Sequence, residues 1–287
     1  MYVGRFAPSP TGALHFGSLV AALASWLDAR AAGGRWLVRI EDLDAPRVQP
    51  GAADEILRAL DRLGLQWDAP VLYQSKRGAI YRSALAALEA HTYWCACTRR
   101  EIADSALGLA ADGAQIYPGT CRHGIAPGKE PRSLRLRTAG AEISYTDRVQ
   151  GAQAQELDRE IGDFVVLRAD AQFTYQLAVV VDDAEQGVTD VVRGADLLDS
   201  TPRQIHLQRL LGYATPRYLH VPAAVNAAGE KLSKQTGARA IDTRRPQETL
   251  RRALAFLGQP GTGDLAQALR DWNPALIPAR RALAAEP

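Results

Sequence analysis

The sequence predicts an α/β protein with a mainly parallel sheet, an insert of different character and a short helical C-terminal part. Three observations carry that prediction. Apolar strand-like runs alternate with helix-patterned runs through 1–90 and again through 160–240. From about His91 to Thr138 the periodicity fades, and Gly, Pro, Cys and His become frequent. Beyond about residue 240 the chain turns Arg- and Ala-rich. The expected organisation is a core of 1–90 and 160–240, an inserted subdomain over 91–159 and a tail over 241–287.

The totals agree with a globular chain. It has 287 residues, 47% apolar and 23% charged, enough to bury a sizeable core. Thirty-four basic residues against 32 acidic ones give a net charge of +2, which excludes a charge-driven nucleic-acid coat but permits a basic face. No apolar run reaches the length of a membrane span, and the first residues lack a secretory pattern, so a cytoplasmic protein without a membrane partner is expected. Of only four lysines, two fall in Lys231-Leu232-Ser233-Lys234.

Taken in order, Tyr2 to Phe6 reads as a short buried strand. Pro8, Pro10 and Gly12 then force a loop. His15, Gly17 and Ser18 lead into Leu19, Val20, Leu23, Trp26 and Leu27, which have helical spacing. A strand, a glycine-bearing turn and a helix N-terminus together make a natural phosphate seat, because free N–H groups and the helix dipole face the anion. The helix ends at Gly33-Gly34, and Arg35 to Ile40 follows as a strand. Glu41 stands at its carboxyl end, where parallel sheets bind ligands. Pro50 to Leu63 and Ser75 to Leu88 are the next helices, the first with Ile56, Leu57, Leu60 and Leu63 on one face.

In the insert, three cysteines cannot complete a disulfide set, and Cys95 and Cys97 are too close to bridge each other. Candidate metal ligands are Cys95, Cys97, Tyr117, Cys121 and His123. Three thiolates with one N or O donor suit a structural tetrahedral zinc, and on general chemistry His123 is the better fourth ligand. With so little apolar material nearby, zinc would supply the folding energy of this segment. Ser133 to Arg137 and Ile143 to Thr146 are expected to form a two-stranded ribbon.

The second half begins with a strand at Asp163 to Arg168. Leu177 to Val181 is continuously apolar, which fits either a helix turn or a strand buried on both sides. Val188 to Val192 is a strand with Arg193-Gly194 just past its end, and Thr201-Pro202 opens a helix. Tyr218 to Val221 is a strand, and the loop of Lys231 to Lys234 follows. The tail reads as a few helices and a weakly ordered end.

His15-Phe16-Gly17-Ser18 joined with a distant Lys231-Leu232-Ser233-Lys234 resembles the class I aminoacyl-tRNA synthetases, in which two such motifs close over ATP. Arg5 to Gly12, Arg39-Ile40-Glu41-Asp42, Val181-Asp182-Asp183, Val192 to Leu198 and Thr201 to Gln204 are similar to the glutamyl branch, and the match runs from about Gly4 to Thr236. The resemblance implies a class I synthetase Rossmann-like catalytic domain. About fifty residues follow the K-x-S-K stretch, too few for that family's anticodon-binding region. This resembles a branch that lacks the region and loads glutamate onto the queuosine base at the wobble position of tRNA(Asp). A shortened enzyme charging a tRNA 3′ end is the alternative.

The resemblance also implies roles and partners. His15 and Lys234 would act on the phosphates of ATP with Lys231 in support, Gly17 beneath the nucleotide and Mg²⁺ arriving with it. Arg5 and Arg193 would hold the side-chain carboxylate of L-glutamate, with a hydrogen bond from Tyr175. Ser9 and Glu41 would hold its ammonium, and Phe6, Ala7 and Pro8 complete that loop. The fourth zinc ligand moves from His123 to Tyr117, with His123 still open. A monomer acting on queuosine-containing tRNA(Asp) is expected. The motif departs from K-M-S-K at Leu232, an apolar exchange of similar volume, and from H-x-G-H at Ser18.

Overall fold

The computed structural model describes residues 1–232 and 239–285; Ser233 and Lys234 of the K-x-S-K stretch lie outside the described residues. The chain opens with β1 (Val3–Phe6), α1 (Phe16–Ala31), β2 (Arg35–Ile40), α2 (Ala52–Arg62), β3 (Leu72–Tyr73) and α3 (Gly78–Ala87). β1, β2 and β3 pair in parallel in that order. The turn from α1 into β2 needs glycine at Gly34, where a Cβ would stand 2.5 Å from the carbonyl oxygen of Tyr2. α3 starts three residues later than expected, because Gln74–Lys76 forms a separate 3₁₀ turn.

The middle of the chain holds β4 (Thr92–Cys95), α4 (Arg99–Ser105), β5 (Ser133–Leu136), β6 (Glu142–Asp147), β7 (Gly151–Glu156), α5 (Leu157–Glu160) and β8 (Phe164–Leu167). The expected ribbon of 133–137 with 143–146 is not formed. β5 pairs with β4 and β8, whereas β6 pairs with β7 and with a strand of the second half. Two adjacent strands in sequence fitted a hairpin, but each finds its partners elsewhere. Thr98 and Glu101 build a reciprocal capping box at the start of α4.

The second half contains α6 (Tyr175–Glu185), β9 (Asp190–Gly194), α7 (Thr201–Leu211), β10 (Arg217–Val221) and β11 (Ala223–Val225). Leu177 to Val181 is therefore helical; all five are buried, so the apolar run reflects a helix enclosed on every side. β9 runs two residues further than expected and includes Arg193 and Gly194. β10 pairs in parallel with β9 and touches β6, with β7 antiparallel at the edge. The tail supplies α8 (Pro246–Phe256), α9 (Leu265–Asp271) and β12 (Ala282–Ala284). Its described residues are tied to the core: β12 adds to β11 in parallel, and Trp272 donates to Asp28 at 3.1 Å.

β1 and β9 lie side by side, tied where Thr189 donates its N–H to the Val3 carbonyl at 2.9 Å. Among the described residues no ladder pairs them further along. Strand order runs outward in opposite directions from this seam, so its carboxyl end is a topological switch point. Two apolar clusters cover the faces. One includes α1, Phe6, Trp36, Val192, Leu219 and Leu254; the other includes α6, Val3, Leu37, Val191 and Tyr218.

Candidate active site

Side chains alternate along a strand with period two. Val3, Leu37, Val191 and Tyr218 face α6. Two residues on, Arg5, Arg39, Arg193 and His220 emerge on that same face, near the carboxyl ends of β1, β2, β9 and β10. All four are buried, and α6 brings Tyr175, Asp182 and Asp183 over them. The α/β register thus concentrates charge at the seam between β1 and β9.

Each of the two arginines expected to grip a carboxylate is already held by side chains of the fold. Arg5 donates from Nε and Nη2 to the two oxygens of Asp183, at 3.1 and 3.3 Å. Arg39 Nη1 joins the same carboxylate at 2.8 Å, while its Nη2 reaches Glu41 at 3.2 Å. Arg193 donates from Nε to His220 Nε2 at 3.0 Å, from Nη2 to Thr201 Oγ1 at 2.8 Å and from Nη1 to the Tyr175 hydroxyl at 3.2 Å. Truncating one partner of such a buried set costs about 3–5 kcal/mol, because the other charge is left uncompensated.

The electrostatics tie these residues into one site. Burial works to raise the Asp183 carboxyl, but Arg5 and Arg39 prevail and hold it below its ordinary value. Glu41 is displaced upward, with burial outweighing the attraction of Arg39 and Arg5. Burial also raises the Tyr175 phenol, and the charges that act on it are Arg193, Glu41 and Arg5. Tyr175 accepts from Arg193 directly, and its phenol also feels the charge of Arg5. Burial, with Arg193 beside it, pushes His220 down to about 4 despite Asp147, so the ring is neutral at pH 7.

The loop of 7–10 is anchored to the end of β2, where Glu41 N–H donates to the Pro8 carbonyl at 3.0 Å. Ser9 is exposed on that loop. Phe6 is a core residue stacked on Trp36 at 6.4 Å between ring centroids. Ala7 and Pro8 are half-buried.

His15 caps α1, accepting from Ser18 N–H at 3.3 Å. The two sequence-distant motifs meet here. Ala240 bridges His15 and Ile241 N–H donates to the Leu14 carbonyl at 3.0 Å, just after the K-x-S-K stretch. Within it, Leu232 N–H donates to the Ala224 carbonyl at 2.8 Å, and Ala224 faces Gly17. A Cβ at Gly17 would meet the His15 ring at 3.4 Å and Ala224 at 3.6 Å, ordinary contact distances. Packing within the chain does not demand glycine there; a ligand approaching the backbone would. Lys231 reaches Asp196 at 2.5 Å.

The Sγ atoms of Cys95, Cys97 and Cys121 all lie within 4.8 Å of one another and could hold a metal ion. Cys97 and Cys121 are 3.6 Å apart, and the Tyr117 hydroxyl lies 3.4 Å from Cys95 and 3.5 Å from Cys97. A tetrahedral Zn–S bond of about 2.3 Å gives sulfur separations of about 3.8 Å, so the donors are spaced to fit. Burial opposes ionisation of the Cys95 and Cys97 thiols; the hydrogen bonds with Tyr117 and Arg135 bring Cys95 down to about 7, whereas burial pushes Cys97 up to about 11. His123 is exposed and stands outside this cluster.

Sequence reasoning missed Asp147, Asp183, His220 and Arg39 as parts of the site. The signal for Asp183 was present, since paired acids closing the apolar run of Val179 to Val181 demand buried counter-charges. Asp147 and His220 are 73 residues apart and gave no local sign of pairing.

Comparison with known proteins adds four findings. The family model for tRNA synthetases class I (E and Q), catalytic domain, matches residues 2–263. The chain is 61% identical over 260 residues to the glutamyl-Q tRNA(Asp) synthetase of Dechloromonas aromatica, covering 90% of this chain and 86% of that one. It is 55% identical over 289 residues to the protein of that name from Chromobacterium violaceum, covering 97% and 96%. In fold it is similar to a crystallised glutamate tRNA ligase from Elizabethkingia meningosepticum in complex with its amino acid, with a TM-score of 0.82 at 23% identity, covering 99% of this chain and 67% of that one.

Proposed function

The chain belongs to the class I tRNA synthetases of the E and Q type, and from that premise we propose that it activates L-glutamate with ATP and transfers the glutamyl group to the queuosine base at the wobble position of tRNA(Asp). The observation that carries the reading is the pair of buried forks, Arg5 and Arg193, around Tyr175 at the switch point.

In the first step the glutamate α-carboxylate attacks the α-phosphate of ATP and expels pyrophosphate. That carboxylate is already ionised at pH 7, so no general base is needed and the protein's work is positioning and charge neutralisation. Arg5 and Arg193 receive the side-chain carboxylate, with Tyr175 donating a hydrogen bond. Glutamine would leave guanidinium charge unmatched, and charged hydrogen bonds contribute about 1.5–3 kcal/mol each. Glu41 and Ser9 take the ammonium. His15, Gly17 and the N-terminus of α1 seat the nucleotide with its Mg²⁺, Lys231 and Lys234 serving the phosphates. In the second step a hydroxyl of the queuosine ring attacks the adenylate carbonyl and releases AMP.

Cys95, Cys97, Cys121 and Tyr117 would hold one zinc ion, which when bound cross-links β4 to the loop of 117–121. The thiols are free of disulfides, as a reducing cytoplasm would keep them. Metal analysis of purified, folded chain should return about one zinc per chain, and a value near zero removes the site.

The decisive test follows labelled glutamate on queuosine-containing tRNA(Asp). Label retained on the anticodon fragment after nuclease digestion, and absent from tRNA that carries unmodified guanosine at the wobble position, supports the proposal. Label released with the 3′-terminal adenosine would make this a shortened glutamyl-tRNA synthetase.

A further inference from the structure

Arg193, His220 and Asp147 form a row across three strands. His220 is the register partner of Arg193 between β10 and β9, and Asp147 ends β6 beside them. Asp147 uses its two oxygens differently. Oδ1 accepts three backbone N–H groups, from Val149 at 3.0 Å, Gln150 at 2.8 Å and His220 at 3.2 Å. Oδ2 faces His220 Nδ1 at 2.6 Å.

A carboxylate only accepts, so Nδ1 carries the proton and Nε2 of the neutral ring presents a lone pair. An arginine only donates, so Arg193 Nε at 3.0 Å requires that lone pair. The opposite tautomer would set two N–H groups against each other in a dry interior.

We propose that Asp147 and His220 are positioning residues for Arg193: the aspartate fixes the imidazole tautomer, and the imidazole holds the rear edge of the guanidinium so that its outer edge faces the substrate carboxylate. The proposal rests on the assignment of Arg193 to glutamate. It makes the two forks unequal in construction, since Arg5 is held by a carboxylate directly and Arg193 through a neutral ring.

Two amide substitutions of the full chain separate this role from simple packing. In His220→Gln the side-chain oxygen can stand near the place of Nε2 and accept from Arg193. In His220→Asn the shorter amide mimics Nδ1, keeps the link to Asp147 and leaves Arg193 Nε without an acceptor. Glutamate and ATP KM values from ATP–pyrophosphate exchange are the readout, with glutamate titration calorimetry alongside. His220→Asn should raise the glutamate KM about tenfold or more and leave the ATP KM within about twofold, while His220→Gln stays within about threefold of the parent in both. Asp147→Asn sharpens the test. The three backbone donors pin its amide oxygen, so its NH₂ faces Nδ1 and forces the wrong tautomer. Its glutamate KM should rise at least as far as that of His220→Asn.

Equal losses in His220→Gln and His220→Asn, or a loss shared equally between the glutamate and ATP constants, would overturn the relay and leave a structural role. Unchanged glutamate KM in all three variants would overturn it as well. Failure of the parent chain to bind glutamate would instead bring down the functional assignment on which the relay stands.

Discussion

At the end of the site proposed to hold glutamate, Arg5 and Arg193 are 3% and 5% exposed, and each is held by buried side chains from other elements. At the end proposed for the nucleotide, His15, Gly17 and Ser18 are half-buried, and the Lys231 side chain is 54% exposed in its pair with Asp196. One end is a fixed mould whose ordering cost is met when the chain folds. The other is a turn joined to the segments on either side of the K-x-S-K stretch by a few backbone bonds around His15 and Ala224. The contrast suits the two substrates. Choosing glutamate over glutamine turns on one charge and needs rigid donors, whereas a nucleotide offers three phosphates and a base over a larger surface. The comparison also sets where damage should be felt: in both stability and glutamate binding at the first end, and in ATP handling alone at the second.

The largest effect is expected for Arg5→Leu. It removes charged hydrogen bonds to the substrate and strips Asp183 of its bidentate partner, leaving Arg39 to balance it. Two charged hydrogen bonds at the low end of their range amount to about 3 kcal/mol, so glutamate-dependent pyrophosphate exchange should fall about 10²-fold or more. The melting temperature should fall as well, because a buried charge loses a partner. A variant that keeps the parent's glutamate KM would break the comparison at its stronger side.

Acid should act on the same end. His220 is neutral in the fold with its value near 4, whereas in the unfolded chain it titrates near the usual 6.5. Between those values the unfolded state binds the extra proton, so stability rises with pH there. It is complete above about 6.5 and is lost as pH falls, by about 2 kcal/mol at pH 5 from this ring alone. Asp147 and Asp183, both held below the ordinary carboxylate value, keep their contribution through that window and lose it only at lower pH. Urea midpoints measured from pH 7.5 to 5 check the sign. The His220→Gln variant, with no ring to protonate, should give a flatter profile, and an equally steep one would place the acid sensitivity elsewhere.

The two ends also differed in how far the sequence disclosed them. Arg5, Glu41, Arg193 and His15 stood at strand ends or a helix start inside motifs that fixed their residue types, and the structure places them at the seam or beside it. Their supports were hidden. Asp183 reaches Arg5 across 178 positions and Gln186 reaches Arg39 across 147, and such pairings leave no periodicity to read. The same limit explains the β5–β6 ribbon and the tail. Both depended on which distant edge was available, β10 for β6 and β11 for β12, and neither edge can be seen from within the segment. The Cys95-Ala96-Cys97 spacing was legible because chelation chemistry is local. The choice between Tyr117 and His123 was not, since two donors near one cysteine look alike until the loop's path is known.

The smallest stability effect is expected at Gly17, and it is the sharpest probe of the nucleotide end. Alanine adds one methyl group. In the unliganded chain that methyl meets the His15 ring at 3.4 Å and Ala224 at 3.6 Å, and no positive φ stands in the way. Gly17→Ala should therefore leave the unfolding free energy within about 0.5 kcal/mol of the parent, or raise it slightly through a less free unfolded chain. If the backbone at this turn is approached by ATP, the same methyl occupies ligand space, and the ATP KM should rise about fivefold or more with the glutamate KM unchanged. Exchange kinetics with each substrate varied in turn provide the measurement. A normal ATP KM would mean that the nucleotide does not approach Gly17, and the seat would have to be sought away from the N-terminus of α1. A rise in both constants would mean that the two ends are mechanically joined through β1 and α1 and act as one unit.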